Sequence, residues 1–231
     1  MIAMGGILTE EGLLKGTLVR GIGSFYYAAA DDGTVYTLRC KKKFRHARMT
    51  PLVGDEILFS PGEGEEHGWL EEILPRRTEC LRPPVANVTL LLLTVAPVPQ
   101  PDLLLIDRLM LRARKQEMKL ALVVTKADLD PTAADDIRQQ YRGAEVPVYA
   151  VCARTGEGLD ALREAMRGET CCMCGQSGVG KSTLLNSLLG LELETGDISR
   201  KIQRGKNTTR RAELLMKDGL RVLDTAGFSL L

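Results

Sequence analysis

The feature that most constrains the fold is a glycine-rich string, GQSGVGKS, which runs from Gly175 to Ser182. It matches the pattern GxxxxGK[ST] in full. The string lies between a run of small apolar residues, typical of a buried strand, and a segment over Lys181–Leu189 with helical apolar spacing. This context indicates a phosphate-binding loop. The loop comes late in the chain, since 174 of the 231 residues precede it.

The residue types in this loop are those that hold the phosphates of a nucleotide. Glycines let backbone N–H groups close around phosphate oxygens, and the N-terminus of the following helix adds positive potential. We expect Lys181 to reach the β- and γ-phosphates, and we expect the Ser182 hydroxyl to bind Mg²⁺. The predicted cofactor-binding residues here are Gly175, Gln176, Ser177, Gly178, Val179, Gly180, Lys181, Ser182 and Thr183.

A second phosphate-sensing string, DTAG, closes the predicted strand Leu220–Asp224. An Asp at a strand end can hold Mg²⁺ through water, and we expect Asp224 to do so. The Gly227 N–H can sense the γ-phosphate. The string is weakly specific alone, and it gains specificity because a phosphate-binding loop precedes it. Phe228 stands where many nucleotide-hydrolysing proteins of this class place a Gln that orients the attacking water.

The string TKAD, Thr125 to Asp128, follows another predicted strand and predicts a reader of the base. Asp128 can accept hydrogen bonds from N1 and N2 of guanine, a pair of donors that adenine lacks, so ATP is disfavoured. The Lys126 stem can lie over the base. Thr125 replaces the Asn of the usual NKxD string, which removes one hydrogen-bonding arm. The predicted base-binding residues are Thr125, Lys126, Ala127 and Asp128.

A loop before a helix, in the string VCARTGEG, completes the predicted base pocket. We assign Cys152 and Ala153 to it, with the Ala153 N–H directed at guanine O6. The chain order is therefore base reader, pocket loop, phosphate loop and DTAG string. An ordinary GTPase begins with the phosphate loop, so the second half has moved to the front. A circularly permuted chain can build the same site, because the site depends on which strand ends meet in space.

Strands and helices alternate beyond the proline-rich string LPRRTECLRPPVAN, which predicts an α/β domain with a mostly parallel six-stranded sheet. The turn KDG between the last two strands makes one edge strand antiparallel. The predicted strands are Val88–Ala96, Leu120–Thr125, Val146–Val151, Thr170–Cys174, Ala212–Lys217 and Leu220–Asp224. The predicted helices are Asp102–Gln116, Thr132–Tyr141, Gly158–Arg167 and Lys181–Leu189.

The stretch from residue 12 to residue 74 is predicted to be all-β, with five short strands separated by turn strings such as DDG and PGEGEEHG. Five strands in so short a stretch favour a small barrel of the oligonucleotide-binding (OB) type. The basic string KKKFRHAR, Lys41–Arg48, follows the third strand and includes Phe44, which predicts an RNA-contacting loop. We place the barrel at residues 1–78 and the α/β domain at residues 79–231.

Composition excludes several other classes of protein. The net charge is +1, although Arg39–Arg48 and Arg200–Arg211 are locally basic; each could contact nucleic acid or simply be a solvated face. No apolar run reaches about 18 residues, which a membrane span requires. Six cysteines show no disulfide pattern, so we expect the reducing cytoplasm as the location. We also expect a monomer. The spacing of Cys171, Cys172 and Cys174 favours a buried strand over a metal site.

The barrel, the permuted order and the strings PLVGDEILF, LRPPVANV and RGKNTTRRAELL together resemble the ribosome small-subunit-dependent GTPase A family over nearly the whole chain. The resemblance implies GTP hydrolysis that the small ribosomal subunit stimulates, with a role late in maturation of that subunit. It also implies that the barrel contacts ribosomal RNA. Thr208 or Thr209 would then bind Mg²⁺ and the γ-phosphate.

Two departures from that family affect the expectations. The family carries a zinc-binding domain after the DTAG string, whereas this sequence stops at Leu231, so we expect no zinc site and a truncated sequence. Asn207 replaces the family's usual His before the Thr pair, and an Asn is a poor proton acceptor near neutral pH. We therefore expect slow intrinsic turnover. A nucleotide-gated RNA-binding module with vestigial hydrolysis remains the alternative.

Overall fold

The computed structural model describes residues 12–41, 44, 49–62, 66–81, 83–191 and 212–225. The chain forms two compact units. The first runs to Asn87 and includes the start of the strand that begins at Ala212, and the second begins at Val88. Each unit has a hydrophobic core of its own. Within these described ranges, no helix is long and apolar enough to cross a membrane.

Five strands form a closed barrel in the first unit. Their bounds are β1 Leu14–Ile22, β2 Phe25–Ala30, β3 Val35–Cys40, β4 Glu56–Ser60 and β5 Gly68–Ile73. β1 pairs antiparallel with both β2 and β4, β2 pairs with β3, and β4 pairs with β5. The parallel pair β3–β5 completes the ring. The predicted OB-like barrel is therefore confirmed.

Alternate residues of these strands, together with Phe44 from the segment between β3 and β4, form the core of the barrel. The core members are Leu14, Leu18, Ala28, Ala30, Leu38, Phe44, Ile57, Phe59 and Leu70. Phe44 is only 6% exposed. The expectation that Phe44 contacts RNA from the basic stretch is therefore wrong, since burying the apolar ring in the barrel stabilises the fold more than exposing it among charges. The other residues of that stretch beyond Lys41 lie outside the described ranges.

A buried ion pair between Asp55 and Arg76 stabilises the first unit. Asp55 is 0% exposed, and its carboxylate accepts from Arg76 Nε at 2.7 Å and from Arg76 NH2 at 2.9 Å. The Leu52 N–H donates to the same carboxylate at 2.7 Å. Arg76 also donates to the Thr50 carbonyl at 2.7 Å and to Glu79 at 2.8 Å. These contacts raise the pKa of Arg76, chiefly through the hydrogen bond to Asp55.

A short hairpin follows the barrel, in a segment where the sequence predicted only a boundary. It consists of β6 Glu79–Leu81 and β7 Pro84–Ala86, and it groups with the first unit. The prolines do not prevent it, because Pro84 opens a strand, a position at which its missing N–H is tolerated. Asn87 ties the hairpin to the barrel by donating to the Gly54 carbonyl and accepting from the Arg77 N–H, both at 2.9 Å.

The second unit is an α/β sheet with helices. Its strands are β8 Leu90–Val95, β9 Lys119–Val124, β10 Val148–Ala150, β11 Thr170–Cys174, β12 Ala212–Lys217 and β13 Leu220–Thr225. Its helices are α1 Leu103–Lys115, α2 Ala133–Gln140, α3 Leu159–Met166 and α4 Lys181–Leu189, with 3₁₀ turns at Ala127–Leu129 and Arg142–Ala144. Every predicted strand and helix of this domain ends within two residues of its expected bound.

The strand order is β10-β9-β8-β11-β13-β12. The pairs β10–β9, β9–β8, β8–β11 and β11–β13 are parallel. The turn at Asp218 and Gly219 joins β12 to β13, so this edge is a hairpin, as predicted. In β11 the side chains of Cys171, Cys172 and Cys174 are all 0% exposed, which confirms a strand buried on both faces.

Candidate nucleotide-binding site

The parallel strands of the second unit bring the predicted motifs to one edge of the sheet. Val124 of β9 lies level with Val95 of β8, and Leu93 of β8 lies level with Cys174 of β11. The carboxyl ends of parallel strands share an edge, and ligands of open α/β sheets bind there. The TKAD string, the glycine-rich loop and Asp224 therefore follow neighbouring strand ends, although they are far apart in sequence.

Gly175 begins the loop in a conformation that only glycine fits. Its φ is +150°, and a Cβ placed there would lie 2.0 Å from the Thr94 carbonyl oxygen. The loop backbone can therefore pass directly over the end of β8. At the other end of the loop, Gly180 has φ +91° and caps α4 in the left-handed region. The two glycines fix where the loop starts and where its helix begins.

Lys181 is the first residue of α4, and its side chain folds back over the loop. Nζ donates to the Gly175 carbonyl at 2.7 Å and to the Gln176 carbonyl at 2.6 Å. Burial lowers the pKa of Lys181, because desolvation disfavours the ammonium form. A phosphate in the loop would favour the charged form. The ammonium group is thus held where the sequence predicted a phosphate-binding cation.

Thr125 connects the base-reading string to the phosphate loop, a contact that the sequence did not reveal. Its hydroxyl is 3.0 Å from the Val95 carbonyl and makes a shorter hydrogen bond to the Val179 carbonyl. The Val95 carbonyl already accepts from the Thr125 N–H at 2.9 Å, so we assign the hydroxyl proton to Val179. Thr125 is only 3% exposed. The Thr in place of Asn therefore still holds the loop.

Lys126 makes a second connection of the same kind. Its backbone has φ +51°, and its Nζ donates to the Gly178 carbonyl at 2.8 Å and to the Val98 carbonyl at 2.9 Å. The lysine stem consequently extends from the end of β9 to the phosphate loop. Two consecutive residues of the TKAD string thus contact the loop directly, which fixes the spacing between the predicted base subsite and the predicted phosphate subsite.

Asp128 has two side-chain partners. The Cys152 thiol donates to Oδ1 at 3.1 Å, and Arg154 NH2 donates to Oδ2 at 2.9 Å. The Cys152 hydrogen bond and then Arg154 hold the pKa of Asp128 below its ordinary value, so the carboxylate is an anion near neutral pH. The sequence predicted Cys152 in the pocket but missed Arg154, which is highly exposed. An anionic carboxylate is the form that accepts the guanine N–H donors.

The pocket loop is shaped by its own backbone and by α4. The Cys152 N–H donates to the Glu157 carbonyl at 3.0 Å, and the Gly156 N–H donates to the Cys152 carbonyl at 2.9 Å. The Ser187 hydroxyl of α4 lies 3.1 Å from the Ala153 carbonyl and 3.1 Å from the Thr183 carbonyl of its own helix, so the two acceptors share one donor. This contact fixes the orientation of the peptide at Ala153, which lies beside the predicted base reader.

The remaining residues of the phosphate loop have varied surroundings. Val179 is buried, with its carbonyl bound to Thr125, whereas the side chain of Gln176 accepts from the Asp102 N–H at the start of α1, at 2.9 Å. Exposed residues of the loop and of the first turn of α4 are Ser177, Gly178, Ser182 and Thr183. The exposed hydroxyls in the first turn of α4 are therefore accessible to a ligand.

Comparison with known proteins identifies the family. The family model described as RsgA N-terminal domain matches residues 15–70, and the one described as RsgA GTPase matches residues 73–231. The chain belongs to the RsgA family of GTPases. Two similar proteins carry the name small ribosomal subunit biogenesis GTPase RsgA. The one from Ruminiclostridium cellulolyticum is 41% identical over 93% of this chain and 72% of its own length.

The second such relative, from Agathobacter rectalis, is 36% identical over 94% of this chain and 76% of its own length. Two solved structures have the same fold. YjeQ from Thermotoga maritima has a TM-score of 0.78 and 31% identity, covering 93% of this chain and 75% of that chain. YloQ, described as a circularly permuted GTPase, has a TM-score of 0.74 and 30% identity, covering 95% and 73%. The predicted permuted GTPase fold is confirmed.

The RsgA chemistry implies Mg²⁺, and the oxygen donors of this chain fit it. Ser182 is exposed in the first turn of α4, and Asp224 is the last residue but one of β13, whose Leu223 lies level with Cys172 of β11. Hydroxyl and carboxylate oxygens are ligands that Mg²⁺ accepts, and the bound ion would neutralise charge on the β- and γ-phosphate oxygens. The predicted residues Asn207, Thr208, Thr209 and Gly227 lie outside the described ranges.

Proposed function

We propose that this chain binds and hydrolyses GTP and acts late in maturation of the small ribosomal subunit, whose presence stimulates hydrolysis. The observation that carries the proposal is the direct bonding of the TKAD string to the phosphate loop through Thr125 and Lys126. That bonding supports the proposal, because it joins the string that carries the proposed guanine-binding carboxylate to the proposed phosphate loop. The relatives named small ribosomal subunit biogenesis GTPase RsgA supply the ribosomal context.

In this proposal each subsite has a defined role. Asp128 accepts from guanine N1 and N2, and the Ala153 N–H meets O6. The phosphate loop and Lys181 bind the phosphates, while Ser182 and Asp224, with Thr208 or Thr209, hold Mg²⁺. The domain division at residues 78 and 79, the monomeric state, the cytoplasmic location and the contact of the barrel with ribosomal RNA remain parts of the proposal.

The test is steady-state GTP turnover by the full chain, with and without purified small ribosomal subunits. We expect slow turnover alone, because Asn207 and Phe228 lack a good general base or water-orienting group, and faster turnover with subunits. Lys181→Ala should abolish nucleotide binding. Lys115→Ala, at an exposed lysine of α1, is the matched control and should leave turnover unchanged.

Two outcomes would overturn the proposal in different ways. Nucleotide binding without any stimulation by subunits would favour the nucleotide-gated RNA-binding module. Equal affinity for ATP and GTP would show that Asp128 does not select the base.

A further inference from the structure

The outward surface of the barrel carries three aligned side chains. Phe25 of β2 lies opposite Arg39 of β3, and Arg39 lies opposite Trp69 of β5. Neighbouring strands are only about 4.8 Å apart, so the three side chains are immediate neighbours. Leu38 and Leu70, next to them in sequence, are 0% exposed in the barrel core. Side chains alternate along a strand, so Phe25, Arg39 and Trp69, here called the outer row, point away from the core.

Arg39, the cation of the outer row, stacks on the Phe25 ring and is exposed to solvent. The Arg39 guanidinium carbon lies 5.3 Å from the centroid of the Phe25 ring, within the range of a cation–π contact. The Phe25 ring also meets the His67 ring edge to face, with centroids 4.8 Å apart. Arg39 is exposed, and within the described parts of the chain it forms no ion pair. Its charge is therefore free to meet an anionic partner.

Trp69 is the most unusual member of the outer row. It is the only tryptophan of the chain, and it is 42% exposed. A large aromatic surface left in water is more often found where another molecule covers it. The nearest carboxylate on the same face of β5, that of Glu71, is neutralised by Lys41 at 2.5 Å. The Glu71 carboxylate therefore adds little uncompensated negative charge beside the indole.

We propose that the outer row is a stacking surface for unpaired RNA bases. Aromatic rings and guanidinium planes stack on the face of any base, and an arginine also meets the backbone phosphates. A duplex hides its base faces, so the ligand is single-stranded. An apolar protein surface would cover Trp69 but would leave the Arg39 charge desolvated and unpaired. This inference rests on the proposed contact between the barrel and RNA, and it gives that contact a location.

The single tryptophan allows a direct test by fluorescence. The full chain is titrated with a single-stranded RNA oligonucleotide of about ten residues, a length within the OB-fold range of about 4–16. Stacking on Trp69 should quench its emission and protect it from acrylamide. The same sequence annealed into a duplex should quench far less at equal concentration.

Affinity measurements on variants separate stacking from charge. By anisotropy of labelled RNA, Trp69→Ala should weaken binding by about 5- to 150-fold, whereas Trp69→Phe should restore most of the affinity. Arg39→Lys keeps the charge but loses the plane, and it should also weaken binding. Val35→Ala is the matched control, since Val35 is a 56% exposed apolar residue of β3 outside the outer row.

The outcomes distinguish this inference from the proposed function. If the unsubstituted chain binds the RNA without quenching of Trp69, and Trp69→Ala binds it with unchanged affinity, the outer row is not the stacking surface, although the barrel still binds RNA. If no RNA binds, while ribosomal protein fractions quench Trp69, the surface docks a protein and the inference is wrong. If neither RNA nor small subunits bind at all, the proposed function fails as well.

Discussion

Replacing Thr125 by Val tests whether the base reader holds the phosphate loop. The two side chains have nearly the same shape, so the substitution removes the hydroxyl and little else. The hydroxyl is buried and binds the Val179 carbonyl. Removing one partner of a buried hydrogen bond leaves the other unsatisfied, at a cost of about 1–3 kcal/mol.

We expect this cost to appear in two measurements. Urea unfolding should show a free energy of unfolding lower by about 1–3 kcal/mol. The loop should also lose its alignment with the base reader, so GDP affinity, measured by fluorescence of a labelled nucleotide, should fall by up to about 150-fold, the equivalent of about 3 kcal/mol. Thr125→Ser keeps the hydroxyl and is the control. Unchanged stability and unchanged GDP affinity in Thr125→Val would show that the hydrogen bond from Thr125 to Val179 does not hold the phosphate loop.

Arg76→Met tests the buried ion pair of the first unit, and Gly175→Ala tests the start of the phosphate loop in the second unit. Arg76→Met should lower the free energy of unfolding by about 3–5 kcal/mol, because it leaves the buried Asp55 carboxylate without its cation. Arg138→Met, which removes an exposed pair, should cost less than about 1 kcal/mol, and equal effects would contradict the burial argument. Gly175→Ala should abolish nucleotide binding while circular dichroism stays native, because its Cβ would strike the Thr94 carbonyl oxygen. Normal GTP binding by that variant would show that the loop can shift.

The α/β domain was predictable because its signals are local. The phosphate loop and the strand–helix alternation each occupy short segments, and every predicted element of that domain is present. The turn strings of the barrel likewise mark its strands. Permutation did not obscure the site, because parallel strands bring their carboxyl ends together whatever the order in which the chain visits them.

Features that depend on distant partners were not predictable. Phe44 lies among basic residues in the sequence, yet its ring is buried in the barrel core. Arg154 lies in the predicted pocket loop, yet only the fold shows that its side chain contacts Asp128. Thr125 holds the phosphate loop only because its hydroxyl binds the carbonyl of Val179, which is 54 positions away. In each case the deciding contact is long-range, and no local pattern records it.

The most direct test of the proposed function is the nucleotide preference of Asp128→Asn. The substitution replaces one acceptor oxygen by a donor, which suits xanthine better than guanine. GTP affinity should fall by about 10- to 150-fold, the equivalent of losing one hydrogen bond to a charged group, and affinity for xanthosine triphosphate should rise. Isothermal titration of both nucleotides gives the ratio. An unchanged GTP affinity would mean that Asp128 does not read the base.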